Sequence, residues 1–229
     1  MRRSLALASV LLLVGLVAPG PAGASRVTLR LGVVTCPTLA GAPGPFRTLP
    51  AHLEVAVPRG LRGRVALYVD ADHRLAAVLA PARWRCRAED AADGQAGLAV
   101  VAPGGSRGGL VTASLDGPCR SCVAADVCRL STVRGFAVAP ADGCRAVPRG
   151  LRATFLSGTR GSRRALVSFT VAPLARVPYG AWPARAPLDV ATRGRLAYDL
   201  SARPWARIVT CALPGDLAGL CASVVARLG

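Results

Sequence analysis

Residues 65 to 88 read VALYVDADHRLAAVLAPARWRCRA, and this stretch decides the fold. Two apolar runs, Val65-Ala66-Leu67-Tyr68-Val69 and Leu75-Ala76-Ala77-Val78-Leu79, flank Asp70-Ala71-Asp72-His73. That is where a β-hairpin turn belongs, because aspartate side chains bond the backbone of a turn. Arg83-Trp84-Arg85-Cys86-Arg87 follows in strict alternation. A strand here places Arg83, Arg85 and Arg87 on one face and Trp84 with Cys86 on the other. Trp84 is therefore expected in the core. Working outward, short apolar or alternating runs separated by Gly, Pro and Asp predict strands over 27–35, 52–57, 64–70, 75–80, 83–88, 97–102 and 109–115, then 166–172, 195–200 and 206–212. Asp93-Gly94, Asp116-Gly117 and Asp142-Gly143 mark turns.

The last run differs. From Gly215 to Leu228 the apolar residues Leu217, Leu220, Cys221, Val224, Val225 and Leu228 fall on one helical stripe, with Asp216 placed to cap the start. A shorter helix fits 121–130. The expected class is α+β: predominantly antiparallel β, with a C-terminal helix packed on the sheet and disulfides stapling the whole.

The chain has 229 residues, 52% of them hydrophobic, enough to bury a sizeable core. Residues 1 to 24 carry Arg2-Arg3, an apolar run from Leu5 to Ala18, a Pro-Gly-Pro break and Ala22-Gly23-Ala24, the layout of a secretory signal peptide. The apolar run is too short to span a bilayer, which needs about 20 residues. Residues 25 to 229 are then read as one secreted β-rich domain, with a sub-lobe boundary available in the Pro-rich segment 172–191. Val57-Pro58-Arg59-Gly60-Leu61-Arg62 recurs at 147–152, but the flanks do not match and we read the recurrence as coincidence.

Lys+Arg total 29 against 12 acids, giving +17. Every one of those 29 is arginine; lysine and asparagine are absent, and isoleucine and glutamine occur once each, at Ile208 and Gln95. The favoured residues are those with GC-rich codons, so composition accounts for much of the charge. Losing Arg2 and Arg3 with the signal peptide leaves 27 minus 12, or +15. The absence of lysine excludes a Walker phosphate loop and Schiff-base chemistry. A surface with this excess still attracts anions in a salt-dependent way.

All eight cysteines, Cys36, Cys86, Cys119, Cys122, Cys128, Cys144, Cys211 and Cys221, lie after the signal segment. An even number in an exported chain is read as disulfides, with 105 connectivities open for eight thiols. Cys211 ends a strand and Cys221 sits on a helix packed back upon it, so these two are expected to pair. The alternative for Cys119, Cys122, Cys128 and Cys144 is a zinc site, which would have to form in an oxidising compartment.

Candidate chemistry is sparse. Gly104-Gly105-Ser106-Arg107-Gly108 matches the nucleophile elbow of serine hydrolases, which needs a helix after the serine. Another strand follows instead, and both histidines, His52 and His73, precede the serine, so a hairpin loop is expected. Asp70, Asp72 and His73 are read as the turn rather than as a metal or acid/base site. Glu89-Asp90 with Asp93-Gly94 lacks EF-hand spacing.

Cys36-Pro37-Thr38, Leu67-Tyr68-Val69-Asp70, the run Ala80 to Cys86, Ala92-Asp93-Gly94, Cys119-Arg120-Ser121-Cys122 with Cys128, and Thr210-Cys211-Ala212-Leu213-Pro214 with Cys221 occur in that order. In this they resemble an uncharacterised, disulfide-rich family of exported actinobacterial proteins. Ser121 stands where that family has glycine, and Arg129 where it often has proline after the cysteine. The resemblance implies export and a shared disulfide fold; it implies no catalytic residue. The functional expectation is a secreted or cell-envelope-associated, non-enzymatic binding module without a cofactor or bound metal. Arg83, Arg85 and Arg87 would form its anion-binding face, and anionic cell-wall polymers or other polyanions rather than a specific nucleic acid would be its partners. The alternative is an extracellular hydrolase without a recognisable motif.

Overall fold

The computed structural model describes residues 26–38, 50–71, 75, 77–90, 95–117, 120–127, 150–173 and 189–225. Residues 1 to 24, read above as a signal peptide, and Cys119, Cys128 and Cys144 lie outside these residues, as do His73 and most of the 172–191 segment.

Among the described residues eleven strands form two sheets, mostly antiparallel. The smaller has the order β2-β1-β3-β4, built from β1 (Arg26–Cys36), β2 (His52–Pro58), β3 (Val65–Asp70) and β4 (Val78–Pro81). The larger runs β5-β6-β7-β11-β10-β9-β8. Its strands are β5 (Arg85–Asp90), β6 (Ala96–Val101), β7 (Leu110–Asp116), β8 (Arg152–Ser157), β9 (Arg164–Val171), β10 (Thr192–Asp199) and β11 (Trp205–Ala212). Every pairing within the seven-stranded sheet is antiparallel.

The hairpin read from residues 65 to 79 is present as β3 and β4, with Leu67 facing Leu79. Its turn is held by Asp70, a buried carboxylate whose Oδ1 accepts the Leu75 N–H at 3.0 Å. Two features differ from the sequence expectation. The long β1 pairs antiparallel with β2 through its first half and parallel with β3 through Val33 to Cys36. Strand β8 was not foreseen at all: it is an edge strand, exposed except at Phe155, and carries no clean amphipathic pattern.

Strand β5 starts at Arg85 rather than at residue 83, because Arg83 sits in a turn with φ 66°. Tyr68 pins that turn. Its hydroxyl donates to the Pro81 carbonyl at 2.8 Å and accepts the Trp84 N–H at 3.2 Å. Burial pushes the Tyr68 phenol above its ordinary pKa, partly opposed by the Trp84 N–H. Trp84 is partly buried against the core. Its ring lies so close to Gly109 that a Cβ there would stand 2.5 Å from Trp84 Cη2.

Buried apolar clusters lie on both faces of the larger sheet, the two largest on opposite faces. Leu98, Val100, Val111, Ala113, Val209 and Cys211 meet Val55, Leu67, Tyr68 and Leu79 of the smaller sheet. On the other face, Val167, Phe169, Leu196, Tyr198 and Ile208 meet Val123 and Val127 of α1 (Arg120–Val127). This α1 overlaps the short helix expected over 121–130, starting one residue earlier. Thr112 and Thr210, directly paired and buried, share a hydrogen bond of 2.5 Å between their hydroxyls.

The C-terminal helix packs on the sheet but is shorter than expected. Gly215–Leu217 form a 3₁₀ turn, and α2 spans Leu220–Val225. Gly219, whose residue type costs a helix interior about 1 kcal/mol relative to alanine, separates them. Asp216 caps no α-helix; its carboxylate instead pairs with Arg64, next to the smaller sheet.

Cys211 is bridged to Cys221, as expected, with their Cα atoms 5.3 Å apart. A second bridge, Cys36 to Cys86, ties the end of β1 to edge strand β5. There the chain continues into a parallel bridge between Thr38 and Ala88. In the chain-entropy picture, closing loops of about 50 and 10 residues is worth roughly 4 and 3 kcal/mol.

Candidate functional site: an open arginine face

Strand register places residues that are far apart in sequence side by side. On β10, Arg193, Arg195, Ala197 and Asp199 share one face, since Gly194, Leu196 and Tyr198 point the other way. Across the ladder to β9, Thr170 faces Arg193, Ser168 faces Arg195 and Arg164 faces Asp199. Beyond β9, Arg152 of β8 faces Thr170, and Thr154 faces Ser168. On the other side, Arg207 of β11 faces Ala197, and Trp205 faces Asp199.

The result is an array of five arginines, Arg152, Arg164, Arg193, Arg195 and Arg207, interleaved with Thr154, Ser168 and Thr170. Arg152, Arg164, Arg193 and Arg207 are exposed and Arg195 is half-buried. This is the same face that the smaller sheet covers over β5, β6 and β7; over β8 to β10 its side chains are exposed or half-buried except for the buried Asp199.

Spacing sets the electrostatics. Residues two apart along a strand are about 7 Å apart, as Arg193 and Arg195 are, and diagonal cross-strand neighbours such as Arg195 and Arg207 about 7–8 Å. At 7 Å, two like charges repel by about 0.6 kcal/mol in bulk water and about 2 kcal/mol at an effective dielectric of 20. Along these strands Asp199 is the single carboxylate on that face among the described residues. It is already engaged: Arg164 Nε lies 2.6 Å from its Oδ2, and the Ser201 N–H donates to its Oδ1 at 2.9 Å. Desolvation works to raise its pKa, but the Ser201 and Arg164 contacts outweigh it and hold the carboxyl below the usual range. Arg152, Arg193, Arg195 and Arg207 therefore stand without a facing carboxylate. Arg195 Nε is also shielded from solvent without a hydrogen bond, a deficit costing about 1–3 kcal/mol.

Arg83, Arg85 and Arg87 sit elsewhere. Arg85 and Arg87 lie at the opposite edge of the sheet and on its opposite face, paired with Val101 and Ala99. Arg83 is in the preceding turn. Arg87 is half-buried and engaged in an interaction of its own, and Glu89 shares its face. The two arginine groups are thus separate surfaces.

The remaining motifs resolve structurally. The Gly104–Gly108 segment is the loop of the β6–β7 hairpin, where Ser106–Gly108 form a single 3₁₀ turn and strand β7 rather than an α-helix follows. His52 is exposed at the start of β2. Among the described residues no group of three His, Cys, Asp or Glu could hold a metal ion, and no cysteine is free. Cys122 is disulfide-bonded, so its sulfur is not a zinc thiolate. No described helix is long and apolar enough to cross a membrane. Comparison with protein-family models, with curated proteins and with solved structures finds no match to the chain.

Proposed function

We propose that the chain is a secreted or envelope-associated, non-enzymatic binding protein that takes anionic polymers, cell-wall polymers among them, on the open face of β8 to β11. The observation that carries this reading is the placement of Arg152, Arg193, Arg195 and Arg207 on one face of β8 to β11, where Asp199, the single carboxylate on that face of these strands among the described residues, is already paired. Such a surface repels itself when empty, and an anionic polymer laid across it turns the repulsion into attraction. Disulfides are compatible with an extracellular setting, where they persist. Arg85 and Arg87 form a separate surface shared with Glu89, with Arg83 in the turn before it.

The test is an equilibrium titration with polygalacturonate in a salt series. Four arginine contacts predict a linear fall of log affinity with log salt, on the order of a hundredfold between 50 and 200 mM. Affinity indifferent to salt over that range removes the proposal.

A further inference from the structure

Where the covered part of this face meets the open part, there is a depression of about 490 Å³ lined by Leu115, Gly117, Arg203, Pro204, Trp205 and Arg207. Its composition differs from the rest of the array. Trp205 is 36% exposed, one of three large apolar side chains exposed among the described residues. The Arg207 guanidinium carbon lies 5.7 Å from the centre of its ring, within cation–π range. Gly117 sets the approach of this corner: a Cβ there would stand 2.9 Å from the Pro204 carbonyl oxygen and 3.1 Å from Trp205 Cβ. The backbone at 117 can thus lie directly against Trp205 only because it carries no side chain.

An indole half in water beside two arginines offers an apolar platform next to fixed positive charge. We propose that this depression is a ring-stacking subsite, and that the polyanion taken by the face is an acidic glycan. One sugar ring would rest against Trp205 while its carboxylate or phosphate meets Arg203 and Arg207. The C–H faces of a sugar ring complement the negative face of an aromatic ring, and the hydroxyls of Thr154, Ser168 and Thr170 suit a hydroxylated polymer.

A single-stranded nucleic acid fits less well. Its recognition stacks successive bases on successive aromatics, and Trp205 is the single aromatic on this face among the described residues of β8 to β11. The inference rests on the polyanion reading and adds to it a requirement for rings.

The experiment compares wild type with Trp205→Ala and Trp205→Phe, at one salt concentration. The probes are polygalacturonate, inorganic polyphosphate, which has charge without rings, and single-stranded DNA. Trp205→Ala is expected to bind polygalacturonate about tenfold more weakly, by analogy with aromatic–base stacking, and polyphosphate within twofold of wild type. Trp205→Phe should retain most of the polygalacturonate affinity. Far-UV circular dichroism checks that the variants fold. Independently of Trp205→Ala, wild type should show a tryptophan emission change with polygalacturonate that polyphosphate does not produce and that Trp205→Phe abolishes.

Equal losses for polygalacturonate and polyphosphate, or no loss for either, overturn the subsite and leave the polyanion reading standing. Tighter binding of DNA than of polygalacturonate, with equal dependence on Trp205, overturns the glycan assignment. Failure of wild type to bind any of the three removes both readings.

Discussion

One face of the seven-stranded sheet changes character from edge to edge. Over β5, β6 and β7 its positions are Cys86, Ala88, Leu98, Val100, Val111 and Ala113, roofed by the smaller sheet and stapled by Cys36–Cys86. Over β8, β9 and β10 the equivalent positions are Arg152, Thr154, Ser168, Thr170, Arg193 and Arg195. Strand β11 holds the boundary, with Val209 and Cys211 in the core and Trp205 and Arg207 exposed. The reverse face is buried from β6 across to β9, at Ala99, Leu110 and Thr112 towards one end and at Phe169, Leu196 and Tyr198 towards the other, and opens at Arg85 of edge strand β5. Strands β6 and β7 are therefore apolar on both faces while β9 and β10 alternate, and what distinguishes the halves is whether the first face found a partner within the chain. The covered half stabilises the molecule, and the open half leaves charge available to something outside it.

That contrast can be broken most severely in the covered half. Replacing Cys36 and Cys86 by serine should lower unfolding free energy by about 4 kcal/mol, read by urea denaturation. Polyanion affinity, measured well below the new midpoint, should stay within twofold. Gly109→Ala brings a Cβ to 2.5 Å from the Trp84 ring at φ 147°; overpacking and backbone strain together predict a loss of about 3 kcal/mol, again with binding retained.

Thr112 and Thr210 give a smaller and more discriminating test. Thr112→Val alone strands the Thr210 hydroxyl and should cost about 1–2 kcal/mol, whereas the double change to valine should recover most of it, because both polar groups are then gone. The smallest effect belongs to the open half. Asp199 has a lowered pKa in the folded state, so its contribution is present above its ordinary value of 3.8 and is lost as pH falls through the folded value. Asp199→Asn should flatten the acid limb of a stability–pH curve below about pH 4, while leaving the neutral-pH slope unchanged.

Much of the fold is legible from local pattern. The runs that became β2, β3, β6, β7 and β11 are apolar or alternate cleanly, and their turns carry Asp or Gly. The bridge between Cys211 and Cys221 follows from a strand and a helix adjacent in the chain. The parallel pairing of β1 with β3 was not legible, because nothing in Val33 to Cys36 distinguishes a parallel from an antiparallel neighbour.

Strand β8 escaped for a different reason. An edge strand exposed on both sides needs no periodic apolar residue, and Arg152 to Ser157 has little more than Phe155 to bury. The open face was invisible on the same ground. Arg152, Arg193 and Arg207 are 41 and 14 positions apart and read as dispersed arginines until register aligns them. Arg83, Arg85 and Arg87 stood out because their proximity is in the sequence itself.

The central claim is that anion binding belongs to the open half of the sheet and not to the arginines nearest each other along the chain. The direct measurement is the affinity for polygalacturonate at 50 mM salt of two triple variants, Arg152→Glu/Arg193→Glu/Arg207→Glu and Arg83→Glu/Arg85→Glu/Arg87→Glu, each checked for folding. The account predicts that the first loses on the order of a hundredfold in affinity, together with most of its salt dependence, while the second stays within about threefold of wild type, as expected of charges remote from the contact. A large loss in the second with none in the first would contradict it.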